Sequence, residues 1–236
     1  MGGKQETVSI AAMTAAFAAG IVAPAQAAIL APELQKILQY RFGDSREPLT
    51  AVQDMARSST GRGRLDLERQ FAQVLGMPEA TDECRDFICR QLWLLGTKES
   101  IPALTKLLES DPKYGDMARY ALERNPDKKA AQALRAPLEK ALKSGGFPAE
   151  KQLFFIGFIN SLGARKDKDS ISALNRIAGG ENEELAAAAV SAIGKIGGSK
   201  AKAILIEAKS SAFPIVRKTA ETALKDLTVL QAADSR

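Results

Sequence analysis

Three dipeptides punctuate the chain at related intervals: Leu95-Gly96, Leu162-Gly163 and Ile196-Gly197 each close an apolar stretch and open a loop. Gly163 and Gly197 lie 34 residues apart, and Gly96 and Gly163 lie 67 apart, close to two such steps. After the first two glycines comes a matching segment, Ser100-Ile101-Pro102-Ala103-Leu104 and then Ser170-Ile171-Ser172-Ala173-Leu174. A period of this length holds two helices and a turn. One such unit cannot bury its own apolar face, so it must stack on the next, and the result is an α-solenoid. The glycines are expected to supply the left-handed residue that helix C-termini commonly use.

The pattern from Ala31 onward is helical, with little of the two-residue alternation that marks strands. It predicts helices over 32–42, 48–58, 65–75, 82–95, 99–109, 112–124, 127–143, 148–162, 168–178, 182–195, 199–211 and 213–228. Pro48, Pro112, Pro148 and Pro214 fall just inside helix starts, where the missing N–H costs nothing because it has no intrahelical acceptor. The fold class is therefore all-α, antiparallel helix pairs wound into a solenoid.

The first residues read as an address. Met1 to Ser9 is polar, Ile10 to Val22 is small or apolar apart from Thr14, and Ala25-Gln26-Ala27 matches the small-x-small cleavage rule. This order predicts a signal peptide over 1–27, removed to leave a mature chain starting near Ala28 outside the cytoplasm. The competing reading is an alanine-rich first helix that is kept. The apolar run is shorter than the ~20 residues of a membrane span, and no later segment is long and apolar enough for one.

The sequence contains no histidine, which removes Ser-His and Cys-His nucleophile pairs, an imidazole base and any His-held metal. No phosphate-binding glycine fingerprint is met: Gly61-Arg62-Gly63 follows no strand. Ser110 and Lys113 have the spacing of a Ser-x-x-Lys dyad, but in a turn that implies no pocket. Catalytic, cofactor and metal residues are accordingly expected to be absent. Net charge is +5, from 33 basic and 28 acidic side chains whose signs are interspersed, so nucleic acid is not the expected partner.

Leu-Gly, Ile-x-Ala-Leu and Val216-Arg217-x-x-Ala220-x-x-Ala223-Leu224 resemble the HEAT repeat, in its short, bilin-lyase-like variety. Phe87 to Ser100, Met117 to Leu122 and Ile159 to Gly163 are similar to exported bacterial HEAT-repeat proteins, the likeness covering about residues 80–230. The resemblance implies a HEAT/armadillo-type superhelix over 77–236, behind a divergent N-terminal helical cap over 28–76. Asn125-Pro126 departs from the pattern, standing where a Leu-Gly belongs and blurring the register of the middle repeat.

Cys84 and Cys89 are five residues apart. On one continuous helix their side chains diverge by about 140° and cannot be bridged, which makes them buried free thiols. A local disulfide requires the helix over 82–95 to start after Cys84.

Aligning the second helices on Leu92, Leu122, Ile159, Ile193 and Leu224 leaves one outward stripe per repeat. The resemblance places these second helices on the concave side. The stripes are aromatic, Met and Arg toward the N-terminus and small or polar toward the C-terminus. A protein partner is therefore expected over Phe87, Arg90, Met117, Tyr120, Arg124 and Phe154, since aromatic and Arg side chains dominate interface energetics. The competing reading makes the apolar members core. Function follows in outline: a non-enzymatic interaction or scaffold module. Two alternatives stand beside it, an accessory bilin-lyase-like enzyme and polyanion binding through the basic segment 124–151.

Overall fold

Helix follows helix because apolar residues recur at three- and four-residue spacing and several runs are bounded by Gly, Pro or a side-chain cap. The computed structural model describes residues 30–110 and 112–234. The expected leader, 1–27, lies outside the described residues. The helices are α1 (Pro32–Ile37), α2 (Glu47–Ser58), α3 (Gly61–Leu75), α4 (Asp82–Leu95), α5 (Ile101–Ser110) and α6 (Pro112–Arg124). They continue as α7 (Lys128–Lys143), α8 (Gln152–Ala164), α9 (Ile171–Ala178), α10 (Glu183–Ile196), α11 (Gly198–Ala208) and α12 (Pro214–Asp234). No strand occurs among the described residues.

The predicted helices are all present, with shifted ends. α1 stops at Ile37 rather than 42, because Thr81 draws the following turn aside: its N–H donates to Leu38 O at 2.9 Å and its hydroxyl to Tyr40 O. α3 begins four residues early, at Gly61. α8 begins late, after a 3-10 turn over Ala149–Lys151.

Two layers result. The even helices stack in order, α2 on α4, α4 on α6, and so to α12; the odd helices α3 to α11 form a second layer. Even helices meet closely because small residues let them. A Cβ on Gly163 would sit 2.9 Å from Ala192 Cα, and one on Gly194 would sit 2.6 Å from Ala223 Cβ. One on Gly157 would press on Arg119, and one on Gly115 on the Phe154 ring. From α4 onward, successive even helices pack against one another far more extensively than successive odd helices do. A double layer spaced more tightly on one side must curve toward that side, so within residues 31–234 the even helices line the concave face. The chain from Ala31 is an all-α solenoid.

The punctuating glycines serve three separate needs, not one. Only Gly197 takes a positive φ, at 71°, and so acts as the expected left-handed stop. Gly96 has φ −62° and is needed because a side chain would strike Leu92 O and Ser100 Oγ. Gly163 lies inside α8 and makes room for α10.

Polar stitches tie consecutive inter-pair loops together. Buried Glu68 accepts from Thr97 N at 2.5 Å, Thr97 Oγ1 at 2.8 Å and Ser100 N at 3.1 Å. Buried Asn125 donates to Thr97 O at 2.7 Å and accepts from Asp127 N at 3.0 Å. Arg165 donates to the carbonyls of Leu122, Glu123, Asn125 and Asp127 at 2.5–3.1 Å. The Asn-Pro departure in the middle repeat is thereby explained. The amide of Asn125 and the fork of Arg165 do there what a glycine stop does elsewhere, and Leu122 stays fully buried, so the register holds.

Cys84 and Cys89 are buried free thiols. Burial pushes the Cys84 thiol up to about 12 from an ordinary value of 9.0, and raises Cys89 as well, with Asp86 adding to the effect.

Three predictions follow from this packing. Leu104→Ala and Leu174→Ala, both at fully buried positions, each lose about 2–5 kcal/mol in urea unfolding. Arg165→Met loses about 2–4 kcal/mol by orphaning carbonyls, and Arg165→Lys recovers less than half of it, because an ammonium lacks the planar fork. Above about pH 9 the unfolded chain ionises its thiols while the folded chain holds them protonated, so stability falls by up to about 1.4 kcal/mol per pH unit per thiol. Thermal melts of wild type and Cys84→Ala across that range test it: the variant declines less steeply.

Candidate functional site

The N-terminal half of the concave face carries a groove of about 320 Å³ between α2, α4, α6 and the turn after α1. Its apolar wall is exposed to an unusual degree: Phe42 is 76% exposed, Leu94 66% and Tyr120 43%. Trp93 on α4 and Tyr120 on α6 stack with centroids 5.3 Å apart and planes within 2°. The Arg124 guanidinium lies 4.5 Å from the Trp93 ring centroid. An offset ring stack with a cation held on it is worth about 1–2 kcal/mol, enough to fix these side chains before anything binds. Arg46, Glu83 and Gln53 add polar groups at the margin, and Arg90 is paired with Asp86 one turn away.

Of the residues selected from sequence, Arg90, Tyr120 and Arg124 stand exposed on this face, and Met117 is half-buried beside them. Phe154 is half-buried because its ring covers Gly115 on α6 and meets Phe158 edge-on at 4.6 Å. Phe87 differs from the expectation. It is 6% exposed, its ring turned inward with only an edge on the groove, because α4 is flanked by α2, α3 and α6 and its apolar arc is correspondingly wide. Phe42 and Trp93 belong to the groove and were not among the selected residues. Trp93 follows the core Leu92 directly, a position that the alignment of stripes passes over. Phe42 sits in a turn with no periodicity to reveal it.

Farther along the same face a second groove of about 480 Å³ lies between α10 and α12, lined by Ser191, Lys195, Ile215, Thr219, Thr222 and Asp226 among others. Ser191, Lys195, Thr219, Thr222 and Asp226 of the C-terminal stripes line it together with the exposed Ile215.

The basic segment 124–151 does not form one surface. Helix α7 runs through it, and 16 residues at about 1.5 Å each separate its ends by roughly 24 Å. Arg124, Lys128 and Lys129 therefore lie at one edge of the stack, and Lys143 and Lys151 at the other. Among the described residues no cluster of three or more acidic or Cys side chains is placed to hold a metal, and no helix is long and apolar enough to cross a membrane.

Residues 156–225, from within α8 to within α12, match the family described as HEAT repeats. The likeness to that family covers this stretch of the chain. Within it lie the pairs α9/α10 and α11/α12, with α8 as the preceding second helix, and the Gly163–Ala192 and Gly194–Ala223 approaches join one pair to the next. No curated protein matches the chain. Among solved structures, the designed armadillo repeat protein YIII(Dq)4CqI is 20% identical, with a TM-score of 0.41, over 82% of this chain and 99% of that one. A second, YIII(Dq.V1)4CPAF in complex with peptide (KR)4, is 18% identical with a TM-score of 0.42, over 84% and 100% of the two chains. An engineered protein is 20% identical with a TM-score of 0.40, over 85% and 98%.

Proposed function

We propose that the protein is a non-enzymatic interaction module that acts outside the cytoplasm and holds a protein partner on the N-terminal half of its concave face. One observation carries the reading: Phe42, Leu94 and Tyr120 are exposed together in a single groove, with Trp93 and Arg124 fixed behind them. Soluble chains scatter exposed apolar residues singly, whereas a cluster rimmed by charged groups marks a contact surface. Aromatic and Arg side chains that are already ordered lose little entropy on binding. The repeat fold suits such a role, since each added pair extends one continuous face. Location outside the cytoplasm rests on the leader-like order of 1–27.

The test compares variants for capture of the partner from the native envelope fraction. Tyr120→Ala and Arg90→Ala weaken capture by tenfold or more while the melting temperature stays within a few degrees of wild type. A large fall in melting temperature for Tyr120→Ala shows instead that the residue is core and removes the case for this face. The location has its own check: protein isolated from its source begins near Ala28, and an intact Met1 or Gly2 in an extracytoplasmic fraction overturns it.

A further inference from the structure

Alternating antiparallel helices place every even-to-odd loop at one edge of the stack and every odd-to-even loop at the other. Direct contacts bear this out on both sides. Thr97, Asn125, Asp127 and Arg165 are joined at the first edge, and Thr81 with Tyr40, and Asn182 with Gln152, at the second.

Connectivity gathers part of the interspersed charge of the sequence into one row. At the even-to-odd edge, successive loops present exposed pairs: Lys128 and Lys129, Lys166 and Lys168, Lys200 and Lys202. Arg62 and Arg64 continue the row toward the N-terminus, with Lys98 between. None of these side chains is in an ion pair with a described residue, although Arg69, Arg90, Arg119 and Arg135 on the helix faces all are. Glu99, Asp127, Asp167 and Asp169 share this edge but are outnumbered, whereas the opposite edge is mixed, with Glu79, Asp82, Glu83, Glu181, Glu183 and Glu184 beside Arg41, Arg46, Lys113, Lys143 and Lys151. Between Lys128, Lys129, Lys166 and Lys168 the basic edge is hollowed into a cleft of about 440 Å³. Asp167 and Asp169 also line the cleft, and both face Arg135, at 2.7 and 3.6 Å, rather than the lysines.

The form of this row defines its occupant. Steps of about 10 Å between neighbouring helices make it a strip roughly 40 Å long and only two helices wide, which fits a chain better than a plane or a point. Cations two residues apart lie within about 7 Å, so the bound charges must be closely spaced. The loops hold no aromatic side chain on which a base could stack. Lysine dominates, and its ammonium acts as a point charge without the directional fork of arginine. We propose that this edge binds a linear polyphosphate-type polyanion, held by charge alone along the row of inter-pair loops. The proposal does not depend on the concave-face reading, because the two surfaces share no aromatic groove residue.

The experiment titrates labelled long-chain inorganic polyphosphate into the full chain at several salt concentrations, with tripolyphosphate and phosphatidylglycerol vesicles as parallel probes. The long chain binds, tripolyphosphate binds far more weakly, and log affinity falls linearly with log salt, by about 0.7 per phosphate neutralised. Lys166→Gln/Lys168→Gln and Lys128→Gln/Lys129→Gln each lower affinity about tenfold at low salt and flatten that slope by about 1.4. Lys140→Gln/Lys143→Gln, with the same charge change away from this edge, leaves binding within about twofold, as does Tyr120→Ala. Thermal melts establish that each variant is folded. Equal affinity for tripolyphosphate, equal loss in the Lys140/Lys143 variant, absence of binding, or binding to the vesicles without binding to polyphosphate overturns the proposal.

Discussion

A stacked solenoid has no contacts beyond its neighbours, so each joint between successive helix pairs must set its own register. At the centre of this molecule the joint is Arg165, whose guanidinium reaches back to the carbonyls of Leu122, Glu123, Asn125 and Asp127. A helix that ends without a glycine leaves carbonyls unsatisfied, and a buried carbonyl without a donor costs about 1–3 kcal/mol. One planar side chain from the next pair satisfies several of them, and in doing so fixes where α8 must sit against α6. At the preceding joint Glu68 works from the opposite side, accepting the N–H groups of Thr97 and Ser100, while Asn125 donates to the Thr97 carbonyl. The concave face and the charged edge both inherit their geometry from these joints, because a slip at one would break both rows of side chains.

Much of the fold was legible in the sequence because helical period and proline position are local signals. Of the column read as core, Leu92, Leu122, Ile159 and Ile193 are fully buried, whereas Leu224 on the last helix is half-buried. The roles of the glycines were not legible. Gly96, Gly163 and Gly197 look alike in sequence, yet Gly96 avoids a clash with its own neighbours, Gly163 makes room for Ala192 on another helix, and Gly197 supplies a positive φ. The Asn125 departure was visible, but its cause is Arg165, forty residues later, and no local pattern connects them.

The candidate surface was partly legible. Tyr120, Arg90 and Arg124 follow from counting outward from a buried column, since a helix face is a local property. Phe87 was misplaced toward solvent because the width of the apolar arc depends on how many helices flank α4. Phe42 lies in a turn, and Trp93 earns its place from a ring on another helix. The row of lysines was invisible for a related reason. Lysines about thirty-five residues apart join one row only after connectivity has turned every second loop to the same edge.

The glycine contacts of the inner layer carry a mechanical consequence. Gly163 against Ala192 and Gly194 against Ala223 are already at the limit of approach, and close-packed protein resists compression. The arc formed by the even helices therefore has a hard stop in one direction: it cannot curl more tightly, but it can unroll as those contacts part. Elastic response of this one-sided kind admits a bulkier guest by widening the bend and springs back when the guest leaves. It gives no grip on a guest smaller than the resting curvature.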